Sequence, residues 1–196
     1  MILYYCLDKK HKNRDGEQLI AQALFDYVQI TASNGNRKLE GIDEKDVVIL
    51  REPMGKPYFK DYNIKFSISH TANLWVCLMA EHLVGVDVQH HRKINAQAVA
   101  KRFFSEQEQA YIQVFGEEGF FNVWCRKEAY VKYTGKGFAG QNFSTFTTVD
   151  HQLNLTETIQ GTEVYALDFT NVLELDPPMR GAYCTQKKEE LWIKKL

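Results

Sequence analysis

The alternation of apolar and polar residues divides the chain into short strands at its start, helical stretches in its middle and further short strands after residue 140. Residues 2–7 read as a strand. Leu19, Ile20, Ala23, Leu24, Tyr27 and Val28 recur at the spacing of a helix's buried stripe, which runs out before Asn34-Gly35-Asn36. A loop-rich connector follows. Residues 47–51 look like a strand, and Glu52-Pro53-Met54-Gly55-Lys56-Pro57 then punctuates the chain with two prolines and a glycine. Residues 66–69, 74–80 and 83–88 follow as short strands, the latter two patterned like a hairpin. A helical region opens near Asn95, and Ser105-Glu106-Gln107-Glu108 has the form of a capping box. Gly116 is expected to end that helix. A further helix is expected to carry Trp124 to about Tyr133 and to stop at Gly135-Lys136-Gly137. Beyond it, residues 144–149, 152–158, 164–169, 181–184 and 191–193 alternate like antiparallel strands. The pattern is α+β, with no low-complexity tract, long linker or visible repeat.

One position breaks the helical pattern. At 3.6 residues per turn, Phe120, Val131, Trp124, Glu128 and Phe121 fall on one side, with Lys132 at its edge and Asn122, Ala129 and Arg126 opposite. Glu128 therefore faces the interior. An ionised carboxylate there is costly unless paired, so it is neutral, or meets Lys132 one turn on, or holds a metal.

With 196 residues, 44% of them hydrophobic, the chain can bury one substantial core or two small halves packed together. A formal charge of −1 gives no basic field for wrapping a duplex, so no nucleic-acid partner is expected. Two local clusters, Lys9, Lys10, Lys12 and Arg14 near the start and Lys187, Lys188, Lys194 and Lys195 near the end, read first as solvated surface. Cys6, Cys77, Cys125 and Cys184 have no Cys-x-x-Cys spacing, which fits buried thiols in a reducing compartment. Residues 1–7 lack the basic lead-in and apolar length of a signal peptide, and no later stretch approaches a membrane span. A cytoplasmic protein without membrane association is expected.

In residues 83–89 the alternation sends Val84, Val86 and Val88 to one face and Gly85, Asp87 and Gln89 to the other. Gly85 leaves room for a close neighbour. Asp87 either marks the strand end and bonds the following loop or serves as an oxygen ligand for Mg²⁺. Asp87, Glu128 and Lys132 together suit an acid pair with a metal and an ammonium beside a phosphate. Ser69, His70 and Thr71 offer two hydroxyls and an imidazole to an anion where a strand ends. No partner acid or nucleophile elbow supports a serine hydrolase triad. Gly55-Lys56-Pro57 and Gly135-Lys136-Gly137 each hold a lysine in sharply bent backbone that can approach phosphates, although a turn and a helix end explain them equally well. A magnesium-dependent nuclease or phosphodiesterase would use the same acids and lysine.

Read in order, Gly55-Lys56-Pro57, Phe66-Ser67-Ile68-Ser69-His70, Gly85-Val86-Asp87-Val88, Arg102-Phe103-Phe104-Ser105, Trp124-Cys125-Arg126-Lys127-Glu128-Ala129, Lys132 and Gly135-Lys136-Gly137 resemble the 4′-phosphopantetheinyl transferases of the Sfp type. The likeness spans about residues 50 to 145. It implies a pseudo-dimer of two similar α/β halves, residues 1–85 and 86–196, with the active site at their interface. It implies transfer of 4′-phosphopantetheine from coenzyme A to a serine of an apo acyl or peptidyl carrier protein, releasing adenosine 3′,5′-bisphosphate. The alternative is a degenerate, non-catalytic module that binds coenzyme A or a carrier protein. By the resemblance, Asp87 and Glu128 are metal ligands for Mg²⁺, with Mn²⁺ as the alternative, and Glu128 is also the candidate base. Lys132 would bind the reacting phosphate. Ser69 and His70 would face coenzyme A's phosphates, and Gly55, Lys56 and Pro57 its adenine and 3′-phosphate side. Arg51, Lys136 and the basic residues from Lys9 to Arg14 are further contributors. The chain departs from several relatives at Gln89, where they place a third acid. An amide is a poorer magnesium ligand, water could fill its place, and activity is expected to survive. A monomer is expected, since the pseudo-dimer supplies both walls of the cleft.

Overall fold

The structure, a computed structural model, describes residues 1–7, 16–33, 44–169, 173 and 179–196. The basic cluster from Lys9 to Arg14 and the expected break at Asn34-Gly35-Asn36 lie outside the described residues. Strand β1 (Ile2–Leu7) leads to helix α1 (Gly16–Ser33) and then to a short hairpin of β2 (Ile49–Arg51) and β3 (Pro57–Phe59). β4 (Lys65–Thr71) and β5 (Leu74–Ala80) pair antiparallel through a turn at Ala72 and Asn73, where Ala72 takes φ 47°. β6 (Val84–His90) follows, then α2 (Ala96–Phe103), α3 (Glu106–Thr134), the short α4 (Gly137–Gly140), β7 (Tyr165–Asp168), β8 (Met179–Thr185) and β9 (Trp192–Lys195). One sheet has the order β4-β5-β1-β9, the other β6-β8-β7.

The hairpin expected of residues 74–80 and 83–88 does not form. β5 is buried along its whole length, with apolar residues on both faces, so it takes a central place between β4 and β1. Residues 81–83 then carry the chain to the second sheet. Among the expected C-terminal strands, residues 144–149 and 152–158 contribute only the isolated bridges Val149↔Leu155 and Thr158↔Tyr165. Asp150 Oδ1 accepts the backbone N–H of Gln152 and Asn154, a local turn that competes with a ladder. β9 departs too, since it runs parallel to β1 in the first sheet.

Alternation sorts the residues into layers. Trp75, Cys77 and Met79 share a core with Leu19, Ile20, Ala23 and Leu24 of α1, whereas Leu74, Val76, Leu78 and Ala80 join Val84, Val86, Val88 and Phe169 between the two sheets. On the outer face of the second sheet, α3 packs through Phe120, Phe121, Ala129 and Val131. The order of layers is helix, sheet, sheet, helix.

The helix ends follow local chemistry. Asn95 caps α2 by accepting the N–H of Ala98, and at α3 Ser105 and Glu108 make both bonds of the expected capping box. Gly116, at φ 62° and ψ −141°, is non-helical and ends the first of two helical segments as expected, and the second segment resumes at once across a kink, so α3 is two helices joined at this glycine. Gly135, at φ 69°, closes α3 with its N–H on Val131 O. Arg126 and Ala129, expected on the outer face, are buried as well. Residues 143–168 cover that side, and Arg126 donates to Thr156 O, Ala166 O and Asp168. All four cysteines are buried and free, and no helix among the described residues is long and apolar enough to cross a membrane.

Candidate active site

Close packing of α3 on β6 builds the site. A Cβ at Gly85 would lie 2.0 Å from Ala129 O and 2.4 Å from Tyr133 N, so only glycine lets the helix settle this near the strand. That approach brings Lys132 on α3 to Asp87 on β6, with Nζ 2.8 Å from Oδ1. The pairing of Lys132 with Glu128 along the helix gives way to this pair between elements. Asp87 is 2% exposed and sits within the strand, not at its end. Its Oδ1 also accepts the Ser69 hydroxyl at 2.8 Å, and its Oδ2 accepts Gln89 Nε2 at 2.9 Å.

Glu128 is 8% exposed and lines a cavity of about 240 Å³. Burial pushes its carboxyl up to about 8, the charge of Asp87 adds to the rise, and Lys132 opposes it. Lys132, Gly135 and Gly137 continue this wall. Gly55, Lys56 and Pro57 from the β2–β3 turn form another, and Ser67 of β4 joins them. The two bent loops thus meet: a Cβ at Gly135 would lie 3.1 Å from both Glu52 Oε2 and Lys56 Cδ.

Lys56 lines the cavity but directs its ammonium to main-chain oxygens, Tyr133 O at 2.7 Å and Val84 O at 3.3 Å. It thereby ties the turn to the end of α3. Burial pulls its pKa down to about 8, with Glu52 opposing and Lys65 assisting. Arg51 donates to Gly55 O at 3.1 Å, bracing the same turn. His70 is exposed on β4 opposite Trp75, and Lys136 is exposed just before α4. Of the expected binding residues, Gly55, Lys56, Pro57 and Lys132 form the cavity wall, whereas Arg51, Ser69, His70 and Lys136 stand outside it.

The donor set available to a cation is all oxygen. Asp87 and Glu128 are two carboxylates whose charges oppose each other in a buried setting, and a divalent ion would relieve that repulsion. Such a pair suits a hard cation that keeps several waters. Among the described residues no group of three or more His, Cys, Asp or Glu gathers, in keeping with an amide at Gln89.

Two features were not singled out in the sequence. Ser67, Ser69 and Thr71 of β4 accept the backbone N–H of Val86, Val88 and His90 on β6, at 3.0, 3.2 and 3.0 Å. The alternating hydroxyls between Phe66 and Thr71 were the available signal. Next to Glu128, the fully buried Lys127 pairs with Glu108 at 2.9 Å and donates to Phe143 O and Phe146 O, both at 2.6 Å. A charge inside the run from Trp124 to Ala129 was visible, but its partner lay about one helix length away in sequence.

Comparison with known proteins adds a family to this geometry. The chain is 34% identical over 100 residues to 4′-phosphopantetheinyl transferase gsp of Aneurinibacillus migulanus, covering 49% of this chain and 41% of the relative. It is 26% identical over 150 residues to 4′-phosphopantetheinyl transferase Sfp of Bacillus subtilis (strain 168), covering 73% and 65%. It is 30% identical over 154 residues to 4′-phosphopantetheinyl transferase psf-1 of Bacillus pumilus, covering 73% and 62%. These matches span roughly two fifths to two thirds of the relatives' own lengths. Residues 83–184, just over half of the chain and including Asp87, Glu128 and Lys132, match the family described as the 4′-phosphopantetheinyl transferase superfamily. The chain belongs to the 4′-phosphopantetheinyl transferase superfamily.

Proposed function

We propose that this protein transfers 4′-phosphopantetheine from coenzyme A to a serine of an apo acyl or peptidyl carrier protein, releasing adenosine 3′,5′-bisphosphate. The observation that carries this reading is Glu128, a buried carboxyl pushed up to about 8, beside Lys132 in a cavity walled by the Gly55-Lys56-Pro57 turn. Family membership and the printed names of the relatives support it. Glu128 is the base that accepts the serine proton, directly or through water. Lys132 shifts from Asp87 toward the reacting phosphate and offsets its charge, which suits a reaction governed by positioning and electrostatics. Asp87 and Glu128 would hold Mg²⁺, which when bound supplies charge neutralisation at the pyrophosphate. Residues 1–85 and 86–196 are read as two similar halves of a pseudo-dimer acting as a monomer, with the site between them. β9 crosses back to the first half.

The test is intact-mass spectrometry of a panel of apo carrier proteins incubated with the protein, coenzyme A and Mg²⁺, with metal-free controls. A phosphopantetheine adduct that requires the metal is the expected result. Glu128→Gln should abolish the adduct while coenzyme A still binds. Turnover unchanged in that variant would remove Glu128 from the role of base, and coenzyme A binding without any adduct would favour the non-catalytic module.

A further inference from the structure

β4 and β6 are the edge strands of different sheets, and they meet through side chains. Ser67, Ser69 and Thr71 lend their hydroxyl oxygens as acceptors for successive amides of β6. Ser69 does more. Its oxygen accepts Val88 N–H at 3.2 Å, which leaves its proton to donate, and that proton goes to Asp87 Oδ1 at 2.8 Å. Ser69 is 6% exposed and does not line the cavity. Asp87 is therefore held by donors from three elements: Ser69 on β4, Gln89 on β6 and Lys132 on α3. Of these, Lys132 faces the cavity and is the donor expected to leave for phosphate. Ser69 and Gln89 are the donors that stay.

We propose that Ser69 is a positioning residue that holds the Asp87 carboxylate in its cation-binding orientation. This rests on the reading of Asp87 as a metal ligand given above. A carboxylate already held in one orientation binds a cation without first being ordered, and a fall in the competent fraction weakens apparent affinity in proportion.

Mn²⁺ serves as the probe, with free ion counted by electron paramagnetic resonance in the absence of coenzyme A. Ser69→Ala is expected to weaken Mn²⁺ binding about 10-fold or more, the lower end of the scale of losing one hydrogen bond to a charged group. In the transfer assay the Mg²⁺ midpoint should rise alike, with the KM for coenzyme A within about twofold of the parent at saturating metal. Ser69→Thr, which keeps the hydroxyl, should restore metal affinity. Thr71→Val strips the acceptor from His90 N–H without touching Asp87, so it should lose stability yet bind Mn²⁺ as the parent does. If Ser69→Ala does not fold, Ser69→Cys, a weak donor of similar shape, is read in its place. Unchanged Mn²⁺ binding, or a raised KM for coenzyme A with an unchanged metal midpoint, overturns the proposal. A parent protein that binds no Mn²⁺ overturns both the metal reading and this one. A parent that binds Mn²⁺ but modifies no carrier overturns the transferase reading alone, since the Mn²⁺ comparison of variants still decides the role of Ser69.

Discussion

Glu128 is held in a state unfavourable for folding and, on the proposed function, useful for chemistry. Burial first, and the nearby Asp87 charge second, raise its carboxyl from an ordinary 4.5 to about 8, and Lys132 recovers only part of that. An acid with a raised native pKa binds more protons folded than unfolded between those two values. Stability therefore falls as pH rises from about 4.5 to about 8, and the deficit persists above. In metal-free buffer Glu128→Gln should be more stable than the parent by an amount near zero at pH 4 that grows to the order of 5 kcal/mol at pH 9. Denaturation in urea at pH 4, 7 and 9 with a chelator checks this. A difference that does not widen with pH would contradict the buried, charge-opposed setting of the carboxyl. Added Mg²⁺ should narrow the difference, because a cation favours the ionised form that glutamine lacks.

At the scale of elements, Gly85 decides how near α3 comes to β6. An alanine there would drive its Cβ into the backbone at Ala129 and Tyr133, and neither can move without lifting the helix. Gly85→Ala should destabilise by about 3 kcal/mol or more and should weaken the contact between Lys132 and Asp87. Urea denaturation checks the first expectation, and a transfer rate restored by no excess of Mg²⁺ would support the second. The sequence made much of this legible. The room at Gly85, the inward face of Glu128, the capping box at Ser105 and the stop at Gly135 all rest on local patterns within one or two turns. What stayed hidden depends on partners far apart in the chain. The two sheets were not visible because β5, apolar on both faces, gives no sign of whether its neighbour is β4 or β6. The burial of Arg126 and Lys127 depends on residues 143–168 folding over them. The packing of Ser69 was hidden because an alternating hydroxyl pattern does not reveal that another strand's amides lie against it.

For the whole molecule, the cavity depends on two layers keeping their places. The β2–β3 turn supplies one wall and the end of α3 the other, with Lys56 tying them through Tyr133 O and Val84 O. Elsewhere the layers share the core between the sheets, the hydroxyl ladder between β4 and β6, and the returning strand β9. After β8, in the second sheet, the chain comes back to pair β9 with β1, bonding Trp192 N to Met1 O and Leu196 N to Tyr5 O. Leu191 and Ile193 pack against the core between the sheets. Removing residues 191–196 deletes these bonds and takes away the apolar cover that both side chains give the core, a loss of about 2–3 kcal/mol. For a chain of this size that corresponds to a fall in Tm of about 4–12 °C. Calorimetry of the shortened protein measures it directly. If β9 fastens one layer to the other, the transition should also broaden, because the first sheet gains freedom to unfold ahead of the second. A shortened protein that melts at the parent's temperature in an equally sharp transition would show that the shared core and the hydroxyl ladder hold the layers together without β9.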